Sequence, residues 1–157
     1  MSAQQRAAQK SREASAQQLL QQQLLGCLRS PWKSVVVVPA QPGGAASSIA
    51  DALANVAWLV RGKEAKVFSV EGMDVAGASK VIMDVDAHVA AGGLAVTIIE
   101  PVVSRQAGIP VALAADGVVL CVELGVATID DAKRTVELIG PQKFLGAVTI
   151  ERGAGAA

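Results

Sequence analysis

Tyrosine is absent from this chain, and the other aromatics are scarce: two phenylalanines and two tryptophans in 157 residues. The 52% apolar content must therefore build its core from valine, alanine, leucine and isoleucine. Net charge is missing too. Fourteen cations balance fourteen acids, so nothing implies a bulk polyanion partner such as nucleic acid. There is one histidine, and the two cysteines, Cys27 and Cys121, lie far apart without metal-ligand spacing. No metal site and no disulfide framework is expected, only buried or idle thiols in a reducing compartment. No apolar run approaches the ~18 residues that span a bilayer. The start, Met1-Ser2-Ala3-Gln4-Gln5, lacks a secretory apolar core. A cytoplasmic location is expected, with any contact to the inner membrane peripheral and made through a partner or a basic segment.

The basic segment is the N-terminus. Residues 1–30 carry Arg6, Lys10, Arg12 and Arg29 against Glu13, an excess of +3 that leaves the remainder at −3. The excess suits an anionic membrane or an acidic protein face, or more simply a solvated helix surface. The segment is rich in Gln, Ala and Leu, and Leu19, Leu20, Leu24 and Leu28 form a narrow stripe at helical spacing. Its first dozen residues have little to bury and are expected to fray. Ser30-Pro31 ends the helix. The stripe is expected to dock on its own domain or, as an interaction surface, on a neighbour. Deleting residues 1–29 is expected to leave a folded core and to weaken self-association or partner binding.

From Ser34 onward, strand-like runs alternate with helical patterns. The strands are read at 34–38, 66–70, 94–99, 117–122 and 144–150. The helices are read at 47–60, about 75–91, about 104–114 with an interruption at Pro110, and 128–139. Thr128-Ile129-Asp130-Asp131 looks like a helix start, with a threonine cap and acids in the first turn. The alternation argues for an α/β fold of three layers, with a mainly parallel sheet of about five strands. Valine-rich runs suit such a sheet, buried on both faces. The organisation expected is a helical segment at 1–30, one domain at 31–152 and a disordered tail at 153–157.

Between the first strand and its helix stands Ala40-Gln41-Pro42-Gly43-Gly44-Ala45-Ala46-Ser47-Ser48. A phosphate-binding loop in that place reads G/A-x-x-x-x-G-K-S/T. Ala40 takes the first position and Ser47 the last, where a hydroxyl would meet magnesium. Ala45 stands for the glycine and Ala46 for the lysine. Backbone N–H groups at the helix start still favour an anion, but the cation that would hold the phosphates is gone. Weak phosphate or nucleotide contact is compatible with this loop; hydrolysis is not expected. Ser47 and Ser48 then serve as a helix cap.

The order of motifs resembles the MinD/ParA-like branch of P-loop ATPases, and most of all the cytoplasmic tyrosine-kinase domains of bacterial exopolysaccharide synthesis. Their loop, S-x-P-G-E-G-K-S/T-T, corresponds to residues 40–48, and Gln41 stands where the branch has a further lysine. Their second motif, D-x-D, corresponds to Glu71-Gly72-Met73, with one acid replaced by methionine. Their third, V-I-I-D-T/S-P-P, corresponds to Val96-Thr97-Ile98-Ile99-Glu100-Pro101-Val102. Their A-D-x-V-V-L-V-V strand resembles Ala115–Val122, and their closing L-G-x-V strand resembles Leu145–Val148. The resemblance implies a P-loop NTPase-like fold in which Val35–Val38 lies beside Leu94–Ile99.

It also implies a partner: a membrane polysaccharide co-polymerase, or further subunits of the same kind. With Ala46 in the loop and no tyrosine to modify, the function implied is a catalytically inactive pseudo-ATPase or pseudo-tyrosine-kinase in exopolysaccharide synthesis or export. It would have no cofactor of its own. The alternatives are a divergent nucleotide-binding switch with a cation supplied in trans, or a scaffold unrelated to polysaccharide. Among the remaining residues, Glu71, Glu100 and Asp116 invite an acid/base or metal reading; for Glu100, at a C-terminal strand edge with no magnesium-bound nucleotide to coordinate, a vestigial or helix-dipole role is expected. His88 reads as a solvated i,i+4 partner of Asp84. Trp32 and Trp58 read as interface anchors, and Trp58 equally as packing beneath a neighbouring helix.

Overall fold

The computed structural model describes residues 2–43 and 45–151; Gly44 and the tail at 153–157 lie outside them. The helices are α1 (Ala3–Cys27), α2 (Ala45–Arg61), α3 (Val75–Ala90), α4 (Ile109–Ala114) and α5 (Ile129–Ile139). The strands are β1 (Ser34–Pro39), β2 (Ala65–Ser69), β3 (Leu94–Ile98), β4 (Gly117–Leu124) and β5 (Phe144–Glu151). They form one five-stranded sheet in the order β2-β3-β1-β4-β5, and every neighbouring pair is parallel. The expected neighbourhood of the first and third runs is present, with Val35 opposite Val96 and Val37 opposite Ile98.

The valines of β1 explain the layering. Side chains alternate along a strand, so Val35 and Val37 face one helical layer and Val36 and Val38 the other, all at most 1% exposed. The first pair joins Leu24 of α1 and Ile49, Leu53 and Ala57 of α2. The second pair joins Val81 and Val85 of α3, Val111 of α4 and Ile139 of α5. Two helices therefore cover one face and three the other.

The N-terminus departs from expectation. Its first residues are helical from Ala3, because Ser2 and Gln5 form a reciprocal capping box and the residues that follow are good helix formers. The stripe also divides. Leu24 is fully buried, Leu28 is 8% exposed and Leu20 packs against the same core, whereas Leu19 is 53% exposed. Leu24 and Leu28 are thus occupied within their own domain, so a cut after residue 29 removes core. Gln23 adds a polar tie: its side-chain carbonyl accepts from Thr149 N–H at 2.8 Å and its amide donates to Thr149 Oγ1 at 3.2 Å. β5 is an edge strand, and this contact pairs a backbone N–H that would otherwise stand open.

Three local readings also change. Pro110 does not interrupt a helix; a 3-10 turn over Gln106–Gly108 leads into α4, and Pro110 sits in its first turn, where a missing N–H costs nothing. His88 does not pair with Asp84. Its Nε2 lies 3.1 Å from the Leu94 carbonyl and its ring stands edge-on to Phe68. Trp32 is no surface anchor at 2% exposure, while Trp58 at 57% does face solvent.

Both thiols are buried and free. Burial raises the Cys27 thiol pKa, and burial together with the Glu123 charge pushes Cys121 up to about 12. The thiolate is the reactive form, so alkylation of either cysteine at pH 8 is expected to wait for unfolding. Mass spectrometry of native and urea-treated protein checks this, and rapid labelling of the native state would contradict it.

Candidate functional site

In an open parallel sheet, ligands bind beyond the carboxyl ends of the strands. The loop after β1 lies at that edge, between β3 and β4. It is held by its root: Ala40 is fully buried and donates its N–H to the Cys121 carbonyl at 3.0 Å. Pro42 and Gly43 are exposed. α2 begins at Ala45, so Ser47 and Ser48 are exposed residues of its first turn rather than its cap. The fold starts the helix two residues earlier than the polar pattern suggested. Ala46, at the lysine position, is 4% exposed and faces the core shared with Ile49 and Ala50.

Acids converge on the loop. Gln41 donates its side-chain amide to the Asp131 carboxylate, which also accepts from the Thr128 hydroxyl at 2.9 Å. Thr128 in turn caps α5 by accepting from Asp131 N–H at 3.1 Å. These bonds, the Thr128 hydroxyl first and the Gln41 amide second, hold the Asp131 pKa below the usual carboxylate value. The second acid is Glu123, near the end of β4. A side chain on Gly43 would place its Cβ 2.6 Å from Glu123 Oε2, so the carboxylate rests directly against the loop glycine. Glu123 was not a sequence candidate. The available signal was its position, two residues beyond buried Cys121 on the strand that flanks β1.

The other candidates are spread along the same edge. Glu100 and buried Pro101 follow β3, next to the loop strand, and Glu100 pairs with Arg105 at 3.1 Å. Glu71 and Met73 follow β2, one strand further out. Glu71 is exposed, whereas Met73 packs against the α3 side of the core. Asp116 lies at the opposite edge, where its carboxylate accepts from the backbone N–H of Lys33 at 2.7 Å and of Ser34 at 3.2 Å. That is a structural clamp on the entry to β1. A cleft with room for about one water, roughly 10 Å³, lies beneath α3 and α4 near Ser34, Thr97 and Asp86, away from the loop.

The edge thus brings carboxylates to the loop that follows β1. It can orient polar groups; it offers a phosphate no cation at Ala46. No helix among the described residues is long and apolar enough to cross a membrane. No family model matches the chain, and no curated protein does. Among solved structures, the fold is similar to the crystal structure of the chimerical protein CapA2B2. The TM-score is 0.60 and the identity 14%, covering 83% of this chain and 80% of that one. At that identity the likeness is one of fold.

Proposed function

We propose that this chain is a non-catalytic relative of the P-loop ATPases, a pseudo-ATPase whose fold serves as a shaped surface for protein contacts. The observation that carries this reading is the loop itself: alanine in place of lysine, with Glu123 against Gly43 and Asp131 on Gln41. Phosphoryl transfer depends on cations that balance the moving charge, and here the nearest side chains have the opposite sign. The motif order and the shared fold favour a place beside exopolysaccharide tyrosine kinases, with a membrane polysaccharide co-polymerase or a second copy as partner. A fold alone does not fix that assignment. It rests on the motifs.

The test is thermal melting with and without magnesium–ATP. A loop that bound nucleotide would gain about 2.7 kcal/mol at a hundredfold excess over Kd, or roughly 5–10 °C. A shift below about 1 °C at millimolar ATP is expected, together with no phosphate release above an inactive-protein control. Magnesium-dependent turnover would overturn the reading. Binding that emerges only with a partner present would favour a switch ATPase with its cation supplied in trans. Pull-down with the cytoplasmic segment of a co-polymerase separates the polysaccharide assignment from an unrelated scaffold.

A further inference from the structure

We propose that the loop is self-liganded: the Glu123 carboxylate sits where a phosphate loop takes its anion and closes the site against free phosphate. This rests on the reading above and adds how the site is kept shut. The geometry is specific. β1 and β4 are neighbours, with Pro39 opposite Cys121 and the Ala40 N–H bonded to the Cys121 carbonyl. Glu123 follows Cys121 by two residues, so its side chain leaves the sheet on the same face, the face covered by α2. It reaches the loop so closely that a Cβ on Gly43 would stand 2.6 Å from its Oε2. Gly43 is not required there by a left-handed backbone, since its φ is not positive. A side chain at position 43 would instead meet the Glu123 carboxylate and displace it.

The start of α2 supplies the reason for an anion in this place. The first N–H groups of a helix lack intrahelical partners and carry partial positive charge. α2 has no acidic residue in its own first turn, and the carboxylate from β4 supplies a negative charge to that end. In a nucleotide-binding loop a phosphate does so. A loop that has lost its lysine can therefore keep its shape with no ligand, because the charge comes from within the chain. Asp131, bonded to Gln41, adds a second negative charge to the loop.

The test compares the intact protein with Glu123→Ala, using inorganic phosphate and pyrophosphate as probes and sodium chloride at equal ionic strength as the salt control. Glu137→Ala, which removes an exposed acid on α5, controls for net charge. Glu123→Ala is expected to melt lower without anions and to regain at least ~3 °C with pyrophosphate in a saturable manner. The intact protein and Glu137→Ala should not respond. Glu123→Gln keeps the side-chain volume and should show the same gain if the first variant folds poorly. A folded variant at position 123 that ignores both anions overturns the self-liganded loop and leaves the pseudo-ATPase reading standing. Magnesium–ATP binding by the intact protein would instead overturn both.

Discussion

Removing residues 2–29 is expected to unfold the domain, whereas removing residues 2–14 should leave its melting temperature within about 2 °C. The difference lies in where α1 touches the rest. Residues 2–8 and 10–14 are exposed, so their loss uncovers nothing apolar. Leu24, Cys27 and Leu28 are buried among Ile49, Leu53 and Val148. Full burial of one leucine contributes roughly 1.5–3 kcal/mol, so two supply about 3–6, and the face they cover would be laid bare as well. A domain holds only about 5–15 kcal/mol in total. Leu24→Ala alone should cost about 2.7–5 kcal/mol, because the site is closed on all sides. Circular dichroism melts of the two truncations decide the matter. A 2–29 deletion that melts like the full chain would show that α1 is dispensable.

Trp32→Ala is expected to cost a further large amount, about 3–5 kcal/mol by urea unfolding. Trp32 is the largest fully buried side chain, and its indole N–H donates to the Cys27 carbonyl at 3.2 Å. Above its ring, at 4.5 Å, lies the Arg61 guanidinium. Arg61 ends α2 and donates to the carbonyls of Leu28, Ser30 and Trp32, so one planar fork ties the α1–β1 link to the second helix. Arg61→Ala should cost about 1–3 kcal/mol for the carbonyls left unpaired. Arg61→Lys should restore little of it, because a lysine cannot meet three acceptors with a fixed fork. The two losses should not add: with ring and guanidinium in contact, the double variant is expected to fall short of the sum by at least about 0.5 kcal/mol. Simple additivity would remove the clamp from the explanation.

The sheet was legible in the sequence because its signal is redundant. Each inner strand is a mainly apolar, valine-containing run buried on both faces, with a helix-length pattern between it and the next. The place of β3 beside β1 came from motif order rather than periodicity. Where the sequence misled, several outcomes shared one pattern. A leucine stripe fits an intramolecular groove as well as a neighbour's, and only the presence of β5 and α2 beside it selects the first. Pro110 reads as a breaker unless the helix is known to begin at Ile109. His88 and Asp84 have i,i+4 spacing, yet the Leu94 carbonyl lies closer to hand. The loop frame was visible residue by residue, but its electrostatics were not. Glu123 and Asp131 lie 80 and 90 residues beyond Gly43 and Gln41, and nothing local marks a carboxylate as turned toward a glycine in a distant loop.

The bond between Gln23 and Thr149 spans 126 residues of sequence, and it has a consequence for how the molecule is made. α1 leaves the ribosome well before β5. At about 5–20 residues per second, the leucines of α1 wait roughly 6–25 s for the strand they will cover. During that interval α2 offers the leucines only part of their seat, and every parallel pairing in the sheet is also a non-local one. Such topologies close slowly. Vectorial synthesis thus leaves the seat of α1 incomplete until β5 arrives, and until then part of its leucine stripe and the β4 edge of the sheet stand open.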